Sequence, residues 1–412
     1  MNAISQEFAP PFKLIAPFFI LGSLFYLLST LLLFAFDASD LFYTDSHVIS
    51  FVHIFLLGFV MMTIFGAMAQ LVPVVLEVGH FAVELFYAIW PLLLTGTLLM
   101  AGGFILSPKL LPYGGLIVLI SLMIFVGETL LTIKRVKEFT VVMSSVLIAN
   151  TFLFFGIIFG LVMALGYAGQ MSVDIYSLLR AHAYLVIGGY VSITIMGLSV
   201  ILLPMFGLSH GFSLTSLYCA LYMMSFAVIF VVIASLFDLD FLLYIGCVLS
   251  ILSQMIYFYQ VYTIYKTRVR KENDIYAKSL IFAYLSLVGA LFLESLFILM
   301  SYEPFLISGA WLLFFGFFGF MITGHIYKII PFLVWFERFS PLVGKEKVPM
   351  LADMLPKRSS EAQFLFSSIG VFLVAFALLS QNNIALSAGA SFLVVGALAF
   401  VRSVLYMINF KK

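Results

Sequence analysis

Charged side chains are scarce in this chain. Asp, Glu, Lys and Arg make up 9% of its 412 residues, whereas hydrophobic residues make up 64%. This composition excludes a water-soluble globular domain, because a soluble surface needs many more charged groups. We therefore expect most of the protein surface to contact the lipid bilayer.

An excess of charge of one sign is also lacking, and cysteine is nearly absent. The formal net charge is +1, with the bases spread over several connections, so we expect no nucleic-acid partner. Cys219 and Cys247 stand alone in or near apolar segments, without a CxxC spacing. They predict neither a disulfide framework nor a thiolate metal cluster.

Long apolar segments are abundant. Runs of about twenty residues, enough at ~1.5 Å per residue to cross a hydrocarbon core of ~30 Å, recur along the whole length. The first run is too long for the apolar region of a signal peptide and is expected to remain as the first helix. The sequence therefore predicts an all-α polytopic membrane protein. Its twelve predicted transmembrane helices lie near 13–36, 49–75, 85–106, 113–133, 140–167, 179–206, 215–236, 240–265, 279–300, 305–334, 363–380 and 384–406.

The positions of the basic residues predict the orientation. With a cytoplasmic amino terminus, eighteen of the 20 Lys and Arg residues fall on the inner side, and only Lys109 and Arg180 fall outside. Basic residues near helix ends favour the cytoplasmic side. We therefore expect both termini in the cytoplasm and a multi-pass protein of the inner membrane.

Three segments of the chain resemble one another. GFVMMTIFGAMAQLVP at 58–73 aligns without gaps on GYVSITIMGLSVILLP at 189–204, and a weaker copy lies at 316–331. The spacing of four predicted helices between copies predicts three parallel four-helix units in which helices two, six and ten are equivalent. The shared glycines permit close approach of a neighbouring helix or of a flat ligand. The predicted units are residues 1–139, 140–278 and 279–412 of a single transmembrane domain.

The longest predicted connection, at 335–362, mixes aromatic residues, prolines and bases. This composition is typical of a cytoplasmic segment that lies along the lipid headgroups. Docking of a soluble partner is the alternative use.

The six histidines are the strongest candidates for chemistry, because neutral imidazoles bind iron and copper and helix-borne histidines commonly hold haem. Measured from the prolines of the repeat, His53 and His182 are expected to lie ~30 Å towards the outer face. His325 is expected to lie roughly 20 Å deeper than those two. The alternatives are a hydrogen-bonded packing role for the buried histidines and a solvated position for those near the headgroups. The predicted outer ligands are His53 and His182, with His47 beside them, and the predicted inner layer is His325, His80 and His210.

Three other polar residues stand out. Arg180 lies two residues before His182, where it suits either pairing with a haem propionate or anchoring at the outer headgroups. Glu294 lies within an apolar helix and is a candidate proton relay. Glu128, near the end of predicted helix four, is a second candidate relay, but it is close enough to Lys134 and Arg135 that we expect a surface carboxylate.

These motifs resemble those of a known superfamily. HIFLLGFVMMTIFGAMAQLVP, starting at His53, resembles the helix-two haem-ligand segment of haem-copper oxidase catalytic subunits, including cbb3-type oxidases and nitric oxide reductases. HAYLVIGGYVSITIMGLSVILLP, starting at His182, resembles helix six of the same subunits. His182 together with His210 is also similar to the NnrS-type haem- and copper-containing membrane proteins.

The resemblance implies a b-type haem held by His53 and His182, with copper as a further candidate. It implies a role in electron transfer or in handling nitric oxide or another diatomic gas, with a small redox protein or a respiratory subunit as partner. The chain departs from the family because helix seven has no histidine and Trp311 stands where an outer haem ligand of helix ten is expected. We therefore expect a degenerate member, without a complete copper site or oxygen-reducing centre.

Two other functions fit the sequence. A transporter or channel would use Glu294 and the histidines to line a path through the membrane. A non-catalytic assembly partner of a respiratory complex would use the connection at 335–362. The sequence leaves open whether the protein catalyses a reaction.

Overall fold

The predicted helical membrane architecture is confirmed. A computed structural model describes residues 8, 10–39 and 41–411, which form helices and no strand. Twelve helices in this part of the chain are long and apolar enough to cross a membrane, as in a multi-pass protein that contacts the lipid bilayer. They are α1 Phe12–Ala35, α2 Ser46–Leu76, α3 Val83–Ile105, α4 Pro108–Ile133, α5 Val141–Tyr167, α6 Ile175–Gly207, α7 Thr215–Phe237, α8 Asp240–Lys266, α9 Ile275–Met300, α10 Glu303–Arg338, α11 Lys357–Ser380 and α12 Asn383–Ile408.

The helices divide into two compact units. One contains Gln70–Lys271, and the other contains Pro10–Ala69 and Glu272–Lys412. The first therefore holds α3 to α8 with the last turns of α2, and the second holds the rest of α2 together with α1 and α9 to α12. The organisation into three four-helix units stays a prediction.

The connection after α10 is shorter than the predicted 335–362. Helix α10 continues to Arg338 and α11 begins at Lys357, so the connection spans 339–356. It folds back onto the second unit, because Trp335 Nε1 donates a hydrogen bond to the Pro349 carbonyl at 2.8 Å and Met354 is buried. These contacts give the segment a fixed local structure.

The repeated glycines of α2 pack against α1. A Cβ atom on Gly66 would lie 2.6 Å from the Cβ of Phe18, and one on Gly58 would overlap the ring of Phe25. Because a side chain at either position would push the two helices apart, these glycines set the helix separation. Of the two expected uses, close helix approach is the one that the contacts show.

The same arrangement recurs in α6 on α5 and in α10 on α9. In each pair, two glycines eight residues apart on one helix contact two side chains on the preceding helix. Those two side chains are seven residues apart. This regularity is what triplication of the sequence predicts. The matching contacts are Gly189 with Phe152, Gly197 with Ser145, Gly316 with Ser286 and Gly324 with Ser279.

Helices α2, α6 and α10 also share a π-helical segment near their first turns. The segments are Ile54–Met61, Tyr184–Ser192 and Leu312–Phe318. Stretches with i to i+5 bonding are rare in proteins and are frequent at functional sites. The three segments follow His53, His182 and Trp311 by one or two residues.

The shared prolines do not end these helices. Pro73, Pro204 and Pro331 each lie inside a helix that continues beyond them. Proline removes one backbone donor but does not prevent helical dihedrals, and bonding by the residues that follow maintains the helix.

Candidate functional site

His53 is the last α-helical residue before the π-helical segment of α2. Its ring is half-buried, and Nδ1 lies 2.8 Å from the Ile49 carbonyl one turn earlier in the same helix. Because a carbonyl only accepts hydrogen bonds, Nδ1 carries the proton and the Nε2 atom carries the lone pair. Fixing the tautomer through a backbone carbonyl is the usual arrangement for a histidine that coordinates a metal through its other nitrogen.

His47 lies one and a half turns earlier and is exposed. Its Nδ1 atom is 3.2 Å from Oδ1 of Asp45, the residue that caps the start of α2. His47 therefore belongs to the capped, solvent-exposed beginning of the helix.

His182 lies near the corresponding position in α6, two residues before the residue that aligns with His53, and packs against α5. Its Nδ1 lies 2.8 Å from the Gly156 carbonyl, so this histidine also has the lone pair on Nε2. A Cβ atom on Gly160 would lie 3.0 Å from the ring, so the absence of a side chain there makes room for the imidazole. The two α5 glycines thus hold His182 in place and support both the ligand and the packing interpretations.

Arg180 is exposed and lies near the carboxylate of Asp174. Hydrogen bonds from Ser177 hold the pKa of Asp174 below its usual value, and the charge of Arg180 lowers it slightly further. Arg180 thus lies at the solvent-exposed start of α6 beside an acidic cap.

The first third of α10 has an aromatic stack where the resemblance would expect a haem ligand. The ring of Trp311 stacks on Phe315 at 4.1 Å between centroids, and Phe315 stacks on Phe55 of α2 at 4.2 Å. The Trp311 indole N–H donates a hydrogen bond to the Val371 carbonyl of α11 at 3.0 Å. The stack fills the space beside Trp311 with packed side chains.

His325 lies deeper in α10 and is hydrogen-bonded through both ring nitrogens. Nδ1 is 2.8 Å from the Met321 carbonyl, and Nε2 is 3.4 Å from the Tyr276 hydroxyl of α9. One turn later, Lys328 Nζ forms an ion pair with Asp274 at 2.6 Å. This part of the second unit is thus a polar contact between α9 and α10.

His80 and Glu128 form a buried pair in the first unit. Nδ1 of His80 is 2.8 Å from Oε1 of Glu128, and the two side chains are 3% and 0% exposed. The same oxygen accepts hydrogen bonds from the Phe81 N–H at 3.1 Å and the Thr132 hydroxyl at 2.8 Å. Oε2 of Glu128 is buried and makes no hydrogen bond within the described part of the chain.

The expectation that Glu128 is a surface carboxylate was wrong. Nearby bases suggested exposure, but the segment after α2 folds over the carboxylate and supplies two of its three hydrogen-bond partners, His80 and Phe81. Arg135 covers the same segment, donating a hydrogen bond to the His80 carbonyl at 3.0 Å. The sequence did contain an indication of burial, because Glu128 stands within a long apolar segment. A carboxylate in such a segment is a candidate functional residue, since its burial is costly.

The remaining predicted residues lie apart from these clusters. His210 is exposed just after α6. Glu294 lies in the last two turns of α9, where a Cβ atom on Gly309 would be 3.2 Å from its Cγ. Its role as a proton relay stays a prediction.

The histidines do not form a multi-ligand cluster. Across residues 8, 10–39 and 41–411, no three His, Cys, Asp or Glu side chains are grouped so that they could hold a metal ion. His47, His53 and His325 belong to one compact unit, and His80, His182 and His210 belong to the other.

The sequence matches no protein-family model, and no curated protein sequence matches it. The interpretation of the site therefore depends on its own geometry and on the motif resemblance.

Proposed function

We propose that this multi-pass membrane protein binds a b-type haem through the Nε2 atom of His53 or His182 in the inner membrane. The observation that carries the proposal is common to α2 and α6. In each helix, a histidine with Nδ1 bonded to a backbone carbonyl precedes a π-helical segment by one or two residues.

A single histidine, His53 or His182, would be enough to hold the haem. One histidine is sufficient to hold haem in several protein classes, and a hydrogen bond at Nδ1 makes Nε2 a better donor to iron. The surroundings of Trp311 do not fit a ligand from α10, because the indole is packed and hydrogen-bonded. We therefore assign no haem ligand to α10.

A bound haem would supply one-electron and diatomic-gas chemistry. The chain would hold the iron through a histidine of fixed tautomer and surround it with apolar helix faces that exclude water. This supports a role in electron transfer or in handling nitric oxide, with a small redox protein or a respiratory subunit as electron partner. Copper stays a sequence prediction, because a copper site needs several nitrogen or sulfur ligands together.

The test is a reduced-minus-oxidised visible spectrum of the protein purified from haem-replete cells, combined with iron and copper analysis. We expect b-type bands and iron in the wild type, and loss of both in His53→Ala or His182→Ala. His210→Ala is the matched control, since it removes an exposed histidine. A folded but colourless wild type, or haem retained in both single variants, contradicts the proposal.

Proton-coupled transport is the second candidate function. The buried His80 and Glu128 pair supports it, because ionisable side chains buried among apolar helices are the residue types that form proton pathways in transporters. Proton flux into proteoliposomes, followed with a pH-sensitive dye, would test this function. Flux that is abolished in Glu128→Gln would favour transport, whereas an absence of flux would argue against it.

A further inference from the structure

A cleft with basic and aromatic walls lies where α10 and α12 end. It has a volume of about 340 Å³ and is lined by Arg338 and Phe339 from α10 and by Asn409, Phe410 and Lys411 after α12. Both helices end on the side that the distribution of bases predicts to be cytoplasmic. The cleft therefore lies at the level of the lipid headgroups on that side.

The cations of the cleft retain donors for a ligand. Arg338 gives one hydrogen bond, from Nη1 to the Phe410 carbonyl at 2.9 Å. A guanidinium has five N–H donors and an ammonium has three, so Arg338 and Lys411 can both bind an anion. The single nearby carboxylate of α10, Glu337, accepts a hydrogen bond from the Phe12 N–H at 2.7 Å.

Arg402 of α12 is a third cation near the cleft, on its membrane side. Arg402 is exposed on α12, seven residues before Asn409 and thus on the same helix face, about 10 Å further into the membrane. It forms no ion pair with any residue that the structure describes. A lipid-facing arginine extends towards the headgroups and needs an anion there.

The walls of the cleft and the adjacent face of α12 are apolar. The rings of Phe339 and Phe410 contact each other at 6.1 Å, and Phe410 also contacts Tyr406 at 6.0 Å. Leu398, Leu405 and Tyr406 are exposed along the same face of α12 as Arg402. A ligand that fits must therefore have an anionic head and a long apolar tail.

We propose that this cleft binds the phosphate of an anionic phospholipid, with Arg338, Lys411 and Arg402 as its cations and the exposed face of α12 against its acyl chains. Basic pockets between transmembrane helices on the cytoplasmic side are known to bind such headgroups. The site does not depend on haem binding or on transport.

Native mass spectrometry of the detergent-purified protein tests the site, with phosphatidylglycerol and phosphatidylcholine added in equal amounts. We expect preferential retention of phosphatidylglycerol by the wild type. In Arg402→Gln/Lys411→Gln the preference should fall roughly 25-fold, since each of the two bases near a membrane surface contributes about fivefold. This variant leaves the hydrogen bond between Arg338 and Phe410 intact.

The matched control is Lys345→Gln/Lys347→Gln, which removes two exposed bases from the same side of the second unit but outside the cleft. It should bind as the wild type does. Lys411→Gln alone serves if the double variant fails to fold. Equal retention of both lipids, equal losses in the control, or thermal stabilisation by inorganic phosphate that matches that by phosphatidylglycerol would overturn the proposal.

Discussion

The carboxylate of Glu128 binds the imidazole of His80 at 2.8 Å, and both side chains are buried. This contact holds the segment after α2 against the C-terminal end of α4. Because lipid and protein interior are both apolar, an unpaired carboxylate at this place would be costly. The pair is therefore a defined polar contact inside an otherwise apolar unit, and it can be tested directly.

Glu128→Leu should destabilise the protein by about 3 kcal/mol, because the donors from His80, Phe81 and Thr132 lose their acceptor. Glu128→Gln keeps one acceptor oxygen and should lose less. Thermal unfolding in detergent measures both changes. Glu138→Gln, at an exposed site, is the control, and an equal effect there would argue against a special role of the pair.

Gly197→Ala should lower the melting temperature, because the new methyl group would overlap Ser145 of α5. Overpacking of this kind typically costs about 1–3 kcal/mol. Gly127→Ala is the control, since nothing lies within 4 Å of a Cβ atom there. The control should be neutral or slightly stabilising, as alanine favours a helix over glycine. Similar melting temperatures for the two variants would contradict the packing assignment.

Trp311→Phe should keep the stack on Phe315 but lose the hydrogen bond to the Val371 carbonyl. We expect a cost of about 1 kcal/mol for this change and about 3–5 kcal/mol for Trp311→Ala, which also leaves a cavity. Thermal unfolding distinguishes the two. A phenylalanine variant as unstable as the alanine variant would show that the hydrogen bond dominates.

Acidification should weaken the start of α6. Hydrogen bonds from Ser177 lower the pKa of Asp174 in the folded protein, so the cap stabilises the fold above the ordinary pKa of an aspartate. That contribution is lost as the pH falls through the lowered pKa. Melting temperatures of the wild type and Asp174→Asn, recorded from neutral to acidic pH, should converge at low pH. A constant difference would exclude the carboxylate charge as the cause.

The predicted orientation can be checked with single cysteines in a Cys219→Ser/Cys247→Ser background. Lys137→Cys should react with a membrane-impermeant thiol reagent only in inside-out vesicles, because the bases of its connection favour the cytoplasm. Lys109→Cys should react only in intact spheroplasts. Both residues are exposed in the fold, so access to the reagent is not limited by packing. The reverse pattern would invert the topology.

The candidate site was only partly predictable. The sequence identified His53 and His182, because histidines are rare and both precede a repeated motif. It did not reveal that Gly160 makes room for His182, that Tyr276 contacts His325, or that Glu128 is buried. Each of these contacts joins residues that are distant along the chain, so no local pattern reports them.

The number and approximate positions of the helices were determined by the sequence alone, because length and apolarity are local properties that the thickness of the bilayer selects. The side that each apolar residue faces was decided only by the tertiary structure. Lipid chains are as apolar as leucine, so hydrophobicity does not distinguish the core from the lipid-facing surface. Phe25 fills the space at Gly58, and Trp311 packs in the aromatic stack, because helix packing gives these side chains specific neighbours.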